Sequence, residues 1–152
     1  MAVSLRSAPE ADLLELFKKV EQDDARTQSL DLGRSVAFKA KPTGLVTSLA
    51  LALKTNSKLT ALSLLRCGLD DAAATVLCNQ LHGNKSLYYL DLSSNAFTDA
   101  GLMDVASMLR SNLGLMSLTI LGYKGSADVA QAFASALNTA NVTLCKLRWA
   151  MD

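Results

Sequence analysis

The residues able to do covalent or proton-transfer chemistry are few and scattered. His82 is the only histidine, set between Leu81 and Gly83 where a helix is expected to end. A histidine-based triad or a multi-histidine metal site is therefore hard to build, and the position suits an exposed or helix-capping role. Cys67, Cys78 and Cys145 are odd in number and show no paired spacing, which argues against both a disulfide framework and a zinc site. Asp23-Asp24 and Asp70-Asp71 are adjacent carboxylates, but the first pair follows a helical stripe and the second begins one, where negative charge suits the helix dipole. The GYKG segment at 122–125 is too short for a dinucleotide fingerprint, and there is no phosphate-cradling loop of the Walker type. These patterns predict no catalytic residue, no cofactor and no metal.

Charges placed to meet another macromolecule remain. Arg34 lies two residues after Leu32 and Arg66 two after Leu64, with Lys39 and Lys41 close by in sequence. A formal net charge of +1 excludes a protein whose affinity rests on neutralising many phosphates, so nucleic acid is not expected as a partner. The N-terminal MAVSLRSAPEADLLEL has no sustained apolar segment after a basic start, and no window approaches the roughly 18 apolar residues of a membrane span. With three unpaired cysteines, a reducing, cytoplasmic location is expected, and no membrane contact.

The elements that must position these charges are written in a repeat. Leu59, Leu87, Leu115 and Leu144 recur at steps of 28, 28 and 29 residues. Each opens the same phrase: LTALSLLRC at 59–67, LYYLDLSSN at 87–95, LMSLTILGY at 115–123 and LCKLRW at 144–149. This is the LxxLxLxx(N/C) phrase of leucine-rich repeats, in which x-L-x-L forms a short strand with inward leucines and outward x residues. Asn95 is expected to satisfy backbone groups of the turn leaving the strand, with Cys67 fitting the same slot as a small, nearly apolar side chain.

Apolar residues at four-residue spacing follow each phrase, in Leu45/Leu49/Leu53, Ala73/Leu77/Leu81, Gly101/Val105/Leu109 and Val129/Phe133/Leu137. They predict helices packing one face onto the strands, with N-caps at Thr43, Asp70, Thr98 and Ser126. Asn56, Asn84, Asn112 and Asn141 each stand three residues before an anchor leucine, so the glycosylation-like triplets at 84–86 and 141–143 are read as helix-to-strand turns. An earlier unit, SLDLGRS at 29–35, repeats less regularly, its excess residues falling in a loop over 36–42. Before it, SAPE at 7–10 reads as a capping box, and Leu13, Leu14, Phe17 and Val20 form a helical stripe.

The predicted fold is a right-handed α/β solenoid of the ribonuclease-inhibitor type. A capping helix over 7–24 is followed by repeats over 27–152, with about five parallel strands alternating with four helices in a single domain over 1–152. So few strands make a slight curve, and the concave columns are mostly small and uncharged, Tyr89 being the best anchor among them. The loop-edge column of Arg34 and Arg66, with Lys39 and Lys41, is the more pointed candidate; a set of merely solvated loop charges is the competing reading. A last strand around Leu147 and Trp149 is expected to leave an open edge that could pair, with Trp149 closing the core and a monomer as the expected state.

Further segments carry a family resemblance. VEQDD at 20–24 followed by Leu30-Asp31-Leu32, KPTGL at 41–45, ALKTN at 52–56, LDLSSNAF at 90–97 and TLCKLRW at 143–149 resemble, in this order, the leucine-rich-repeat domain of tropomodulins and leiomodins, which cap or nucleate actin filaments at the pointed end. The resemblance implies an actin-binding, non-catalytic module of the cytoskeleton that uses its first helix and the loop side of its early repeats. Carried onto this chain, that surface comprises Lys18, Asp23, Asp24, Arg34, Lys39, Lys41 and Arg66. The family's N-terminal tropomyosin-binding helices and its helix after the last strand have no counterpart in the sequence, so tropomyosin is not implied as a partner. The loop after Leu32 is longer than the family's. An alternative is a scaffold or inhibitor subunit holding a non-actin protein in a cytoskeletal or flagellar assembly.

Overall fold

Leu30, Leu62, Leu90 and Leu118 stand side by side in the registers of successive parallel strands, each at most 1% exposed. A computed structural model describes residues 3–139, 141 and 143–149. Its order is β1 (Val3–Ser4), α1 (Glu10–Glu21), β2 (Ser29–Asp31), α2 (Val36–Ala40), α3 (Pro42–Thr55), β3 (Ala61–Ser63), α4 (Asp71–Leu81), β4 (Tyr89–Asp91), α5 (Asp99–Ser111), β5 (Ser117–Thr119), α6 (Ala127–Thr139) and β6 (Lys146–Arg148). The strands form one parallel sheet in sequence order, and α1, α3, α4, α5 and α6 pack each against the next. Helices cover one face of the sheet; between the two layers lies a core of Leu, Val and Ala with the rings of Phe17, Phe38 and Phe133.

The expected solenoid is present, with differences that have local causes. Among the described residues the sheet has six strands rather than five, because Val3 and Ser4 pair with Leu30 and Asp31. This strand is two residues long and lacks the L-x-L phrase that marks the others. The expected loop over 36–42 holds the short helix α2 instead, which adds a fifth helix after the capping one. Ser35 accepts a hydrogen bond from the Phe38 amide at its start, and Phe38 is fully buried, edge-on to Phe17 with ring centroids 6.3 Å apart. The inserted residues thus fill the space between α1 and the first repeat helix.

Helix starts divide similarly. Asp70, Thr98 and Ser126 accept from the amides of Ala73, Ala100 and Val129, as expected of N-caps. Thr43 does not cap: α3 begins one residue earlier, at Pro42, whose fixed φ suits the first helical position. Nor does Ser7 form a capping box. The chain turns with the Ala8 amide donating to the Leu5 carbonyl, and Pro9 becomes the residue before α1 with no side-chain cap. The capping helix therefore runs over Glu10–Glu21 within the expected 7–24. Leu14 is 36% exposed on it, outside the buried stripe of Leu13, Phe17 and Val20. On α6 the third buried position is Ala136, with Leu137 only half-buried. Trp149 lies over the end of the core, its ring 4.9 Å from that of Phe133.

Two columns of side chains lock the repeats together, one at each end of the strands. At the helix-to-strand turns, the Asn56 amide donates to the Val20 carbonyl, Asn84 to Leu53, Asn112 to Leu81 and Asn84, and Asn141 to Leu109 and Asn112. Each Oδ1 accepts from the amides two and three residues on, as with Gly114 at 3.0 Å and Leu115 at 2.7 Å for Asn112. Every one of these asparagines is under a tenth exposed, so the sequon-like asparagines at 84 and 141 are committed to the turn. Gly114 is required here, since a Cβ would lie 2.7 Å from Lys85 Cα.

At the strand-to-helix turns, Asn95 donates to the carbonyls of Leu64 and Leu92 and accepts from the amides of Cys67 and Leu69. The equivalent residues reach back one repeat in the same way: Cys67 Sγ lies 3.1 Å from the Leu32 carbonyl, and the Tyr123 hydroxyl donates to that of Leu92. Burial pushes the thiols of Cys67 and Cys78 up to about 12.

Asn112→Ala removes the side-chain partner of the Asn84 carbonyl and of the amides of Gly114 and Leu115 in a buried turn, while the Leu81 carbonyl keeps the Asn84 amide, which predicts a loss of about 3 kcal/mol and a fall in Tm of roughly 10 °C. Asn79→Ala, on the exposed face of α4, should change stability by less than about 0.5 kcal/mol. Urea unfolding of both variants checks this. Because Cys145 is exposed and the other two thiols are buried, iodoacetamide at mildly alkaline pH should alkylate Cys145 alone in the folded protein and all three in urea, as read by intact mass.

Candidate partner-binding edge

The turn leaving each strand needs one residue with left-handed backbone, and the sequence fills that place differently in successive repeats. Arg34 has φ 62°, Arg66 φ 53°, Ser94 φ 55° and Gly122 φ 82°. The parallel ladder continues through them, the amides of Arg34, Arg66 and Ser94 donating to the carbonyls of Leu65, Ser93 and Leu121. The predicted stacking of Arg34 and Arg66 is therefore correct. A serine or a glycine makes the same turn in the later repeats, so the guanidinium groups are not required by the backbone. Both arginines are exposed, and neither enters an ion pair among the described residues.

Lys39 joins them, carried by α2. It shares a shallow depression of about 420 Å³ with Arg66, Gly68 and Ser94, and its Cα lies only 3.6 Å from where a Cβ on Gly68 would stand. Lys41 faces away from this group: its Nζ lies 2.7 Å from Glu10 Oε2, tying α3 to the start of α1. One further cation was missed in the sequence. Arg6 follows β1, its guanidinium 3.9 Å from the Asp31 carboxylate, and its carbonyl accepts from the Val36 amide. The short strand that places it beside Gly33 and Arg34 is the signal that was overlooked.

The remaining candidates lie elsewhere. Lys18 is exposed on the helical face, in a groove between α1 and α3 lined by Leu14 and Leu51. Tyr89 is 37% exposed on the outward strand face between Ala61 and Ser117.

Asp23 and Asp24 are at the opposite end of the strands from the arginines, and both are committed to structure. Asp23 accepts from the Ser57 amide and hydroxyl at 2.6 and 2.5 Å, hydrogen bonds that lower its pKa. Asp24 accepts from Arg26 through side chain and backbone, which holds its carboxyl down to about 2. It stands three residues before Thr27, in the place of the turn asparagines, and bonds the amide two residues on as they do. The resemblance-derived set thus separates, and only Arg34, Lys39 and Arg66 form a shared surface.

His82 Nδ1 is hydrogen-bonded to Ser111 Oγ, at the ends of α4 and α5. That hydroxyl also donates to the Met108 carbonyl, and no carboxylate orients the imidazole among the described residues. No group of three or more His, Cys, Asp and Glu among the described residues is placed to hold a metal ion. No helix among them is long and apolar enough to cross a membrane.

A family model for the leucine-rich repeat matches residues 83–106, from the turn at Asn84 into α5. Tropomodulin-4 of Bos taurus is 29% identical over 106 residues, covering 70% of this chain and 30% of that protein. Leiomodin-3 of Mus musculus is 28% identical over 154 residues, covering 97% of the chain and 26% of its own length. The chain thus spans about a third or less of these relatives. Among solved structures, leiomodin-1 actin-binding site 2 superposes with a TM-score of 0.82 at 22% identity, covering 91% of this chain and 79% of that one. The tropomodulin C-terminal domain of Caenorhabditis elegans gives 0.80 at 16%, covering 92% and 83%. At these identities the structures show the shared fold. Repeat phrase, sheet topology and these matches together identify the chain as a leucine-rich-repeat solenoid similar to tropomodulins and leiomodins.

Proposed function

We propose that this chain is a non-catalytic protein-interaction module of the actin cytoskeleton, one domain over 1–152, that binds actin at the filament pointed end or as monomer. The loop edge carrying Arg34, Lys39 and Arg66 is the proposed contact, and Arg6 extends it. The observation that carries this reading is the pair of arginines in a turn that the later repeats make with Ser94 and Gly122. Two guanidinium groups one strand apart, without an ion pair among the described residues and with an ammonium beside them, form a basic edge that attracts and orients an acidic partner surface. Arginine also supplies the planar, multi-donor head group favoured at the centre of interfaces.

The relatives support actin as the partner. One structural neighbour is itself described as an actin-binding site, and tropomodulin-4 and leiomodin-3 share sequence over most of this chain. A subunit holding a non-actin protein is not favoured by them. The non-catalytic reading is supported by the burial of the Cys67 and Cys78 thiols, which pushes both up to about 12, and by the scattered placement of the titratable side chains. A cytoplasmic location follows from the partner, and the exposed basic edge suits a monomer.

With barbed ends blocked, the protein at tens of micromolar should slow pyrene-actin exchange at pointed ends or bind monomeric actin. Arg34→Glu/Arg66→Glu should weaken either effect by about tenfold or more with an unchanged melting curve. No effect of the wild-type protein on pointed-end kinetics, together with no monomer binding, would overturn the proposal.

A further inference from the structure

At the other end of the strands, the residue preceding each strand forms a second column, with Thr60 half-buried and Tyr88, Met116 and Cys145 exposed. Their backbones are joined in series, the Tyr88 amide donating to Thr60, Met116 to Tyr88 and Cys145 to Met116. Neighbours in the column are therefore about 5 Å apart, the spacing of hydrogen-bonded strands. Tyr88 is 49% exposed, Met116 47% and, on the turn before Met116, Leu113 53%. These three side chains, with Lys85 and Cys145, line a depression of about 450 Å³.

The fold does not demand apolar groups at these places. The earlier repeat uses Thr60 where Tyr88 and Met116 stand, and of the three positions equivalent to Leu113 two are polar, Ser57 and Lys85, the third being Val142. Single exposed apolar residues are ordinary on a protein surface, but three converging on one recess across two successive turns form a patch of the kind that marks contact sites. Tyrosine and methionine are also among the residues enriched at such sites.

The charge around the recess selects what could fill it. Over residues 84–90, 112–118 and 143–147 the charged side chains are Lys85 and Lys146, both exposed, and those segments hold no Asp or Glu. Lys58, exposed on the preceding turn, stands beside Asp23, whose pKa is lowered by the Ser57 hydrogen bonds and by this lysine's charge, so the cationic border rests on Lys85 and Lys146. A second copy seated here would set one lysine rim against the other. A recessed apolar floor with a cationic rim is complementary to an acidic peptide segment that inserts one or two apolar side chains.

We propose that this turn edge is a second docking site, for an acidic peptide segment of another protein anchored by an aromatic or leucine side chain in the Tyr88–Leu113–Met116 recess. It lies at the opposite end of the strands from Arg34 and Arg66, so both edges can be occupied on one molecule. It does not depend on the actin reading.

The test is selection of random, phage-displayed peptides of about twelve residues on the immobilised chain, followed by fluorescence anisotropy with the synthetic peptides recovered. Enriched peptides should carry an excess of Asp and Glu around Phe, Tyr or Leu. Tyr88→Thr/Met116→Thr, which copies the residue of the earlier repeat, should weaken them about tenfold or more, and so should Lys85→Glu/Lys146→Glu if the first variant is poorly folded. Arg34→Glu/Arg66→Glu should leave their binding unchanged, which separates this site from the proposed actin contact. The proposal is overturned if no peptides are enriched, if those enriched are basic or uncharged, or if both turn-edge variants bind them like the wild type. It is equally overturned if the edge instead binds phosphatidylserine vesicles, or forms a dimer that Tyr88→Thr/Met116→Thr dissolves.

Discussion

The structure depends on one interaction repeated down the stack, the buried asparagine at each helix-to-strand turn. A carboxamide is suited to it because it offers donor and acceptor in one planar group. Its NH₂ reaches back to a carbonyl of the preceding unit, and its oxygen holds the two amides that lead into the next strand. Backbone groups left over at a helix end would otherwise be buried without partners, at a cost that a small aliphatic core could not absorb many times over. The first position of the series shows the logic by exception. Asp24 has the place of the asparagines, and its acceptor-only carboxylate bonds the amide and guanidinium of Arg26.

The second column, at the other end of the strands, is chemically mixed. Ser35, Cys67, Asn95 and Tyr123 occupy equivalent places, and the last three each reach a carbonyl of the preceding repeat with a different group. The tolerance has a physical origin: a turn that already closes through backbone bonds needs only one polar atom of suitable reach. With both ends of each strand secured from inside, the outward positions on the turns are released from structural duty. They are where the sequence varies most in character, arginine against glycine on one edge and tyrosine against threonine on the other.

That division explains what could be read beforehand. The leucine phrase and the asparagine spacing are enforced by burial in every repeat, so strands, helices and the stacking of Arg34 over Arg66 were legible. What deviates from the repeat was not. The two-residue strand at Val3–Ser4 has no phrase to announce it, and with it Arg6 was missed. The insertion after Ser35 looked like a loop because a single buried ring, Phe38, makes it a helix. Lys41, Asp23 and Asp24 looked available because their partners, Glu10, Ser57 and Arg26, follow from tertiary approach or local turn geometry rather than from column position. Column arithmetic shows which residues are neighbours across repeats; it does not show which of them are already spent.

The central claim is that the stacked arginines, free of structural duty, form the contact with actin. Hydrogen exchange read by mass spectrometry, on the chain alone and with saturating monomeric actin held unpolymerised, addresses it directly. The account predicts added protection of amides over residues 33–41 and 66–68, with α5 and α6 unchanged. Protection confined to α5 and α6, or none at any segment under saturating actin, would contradict it.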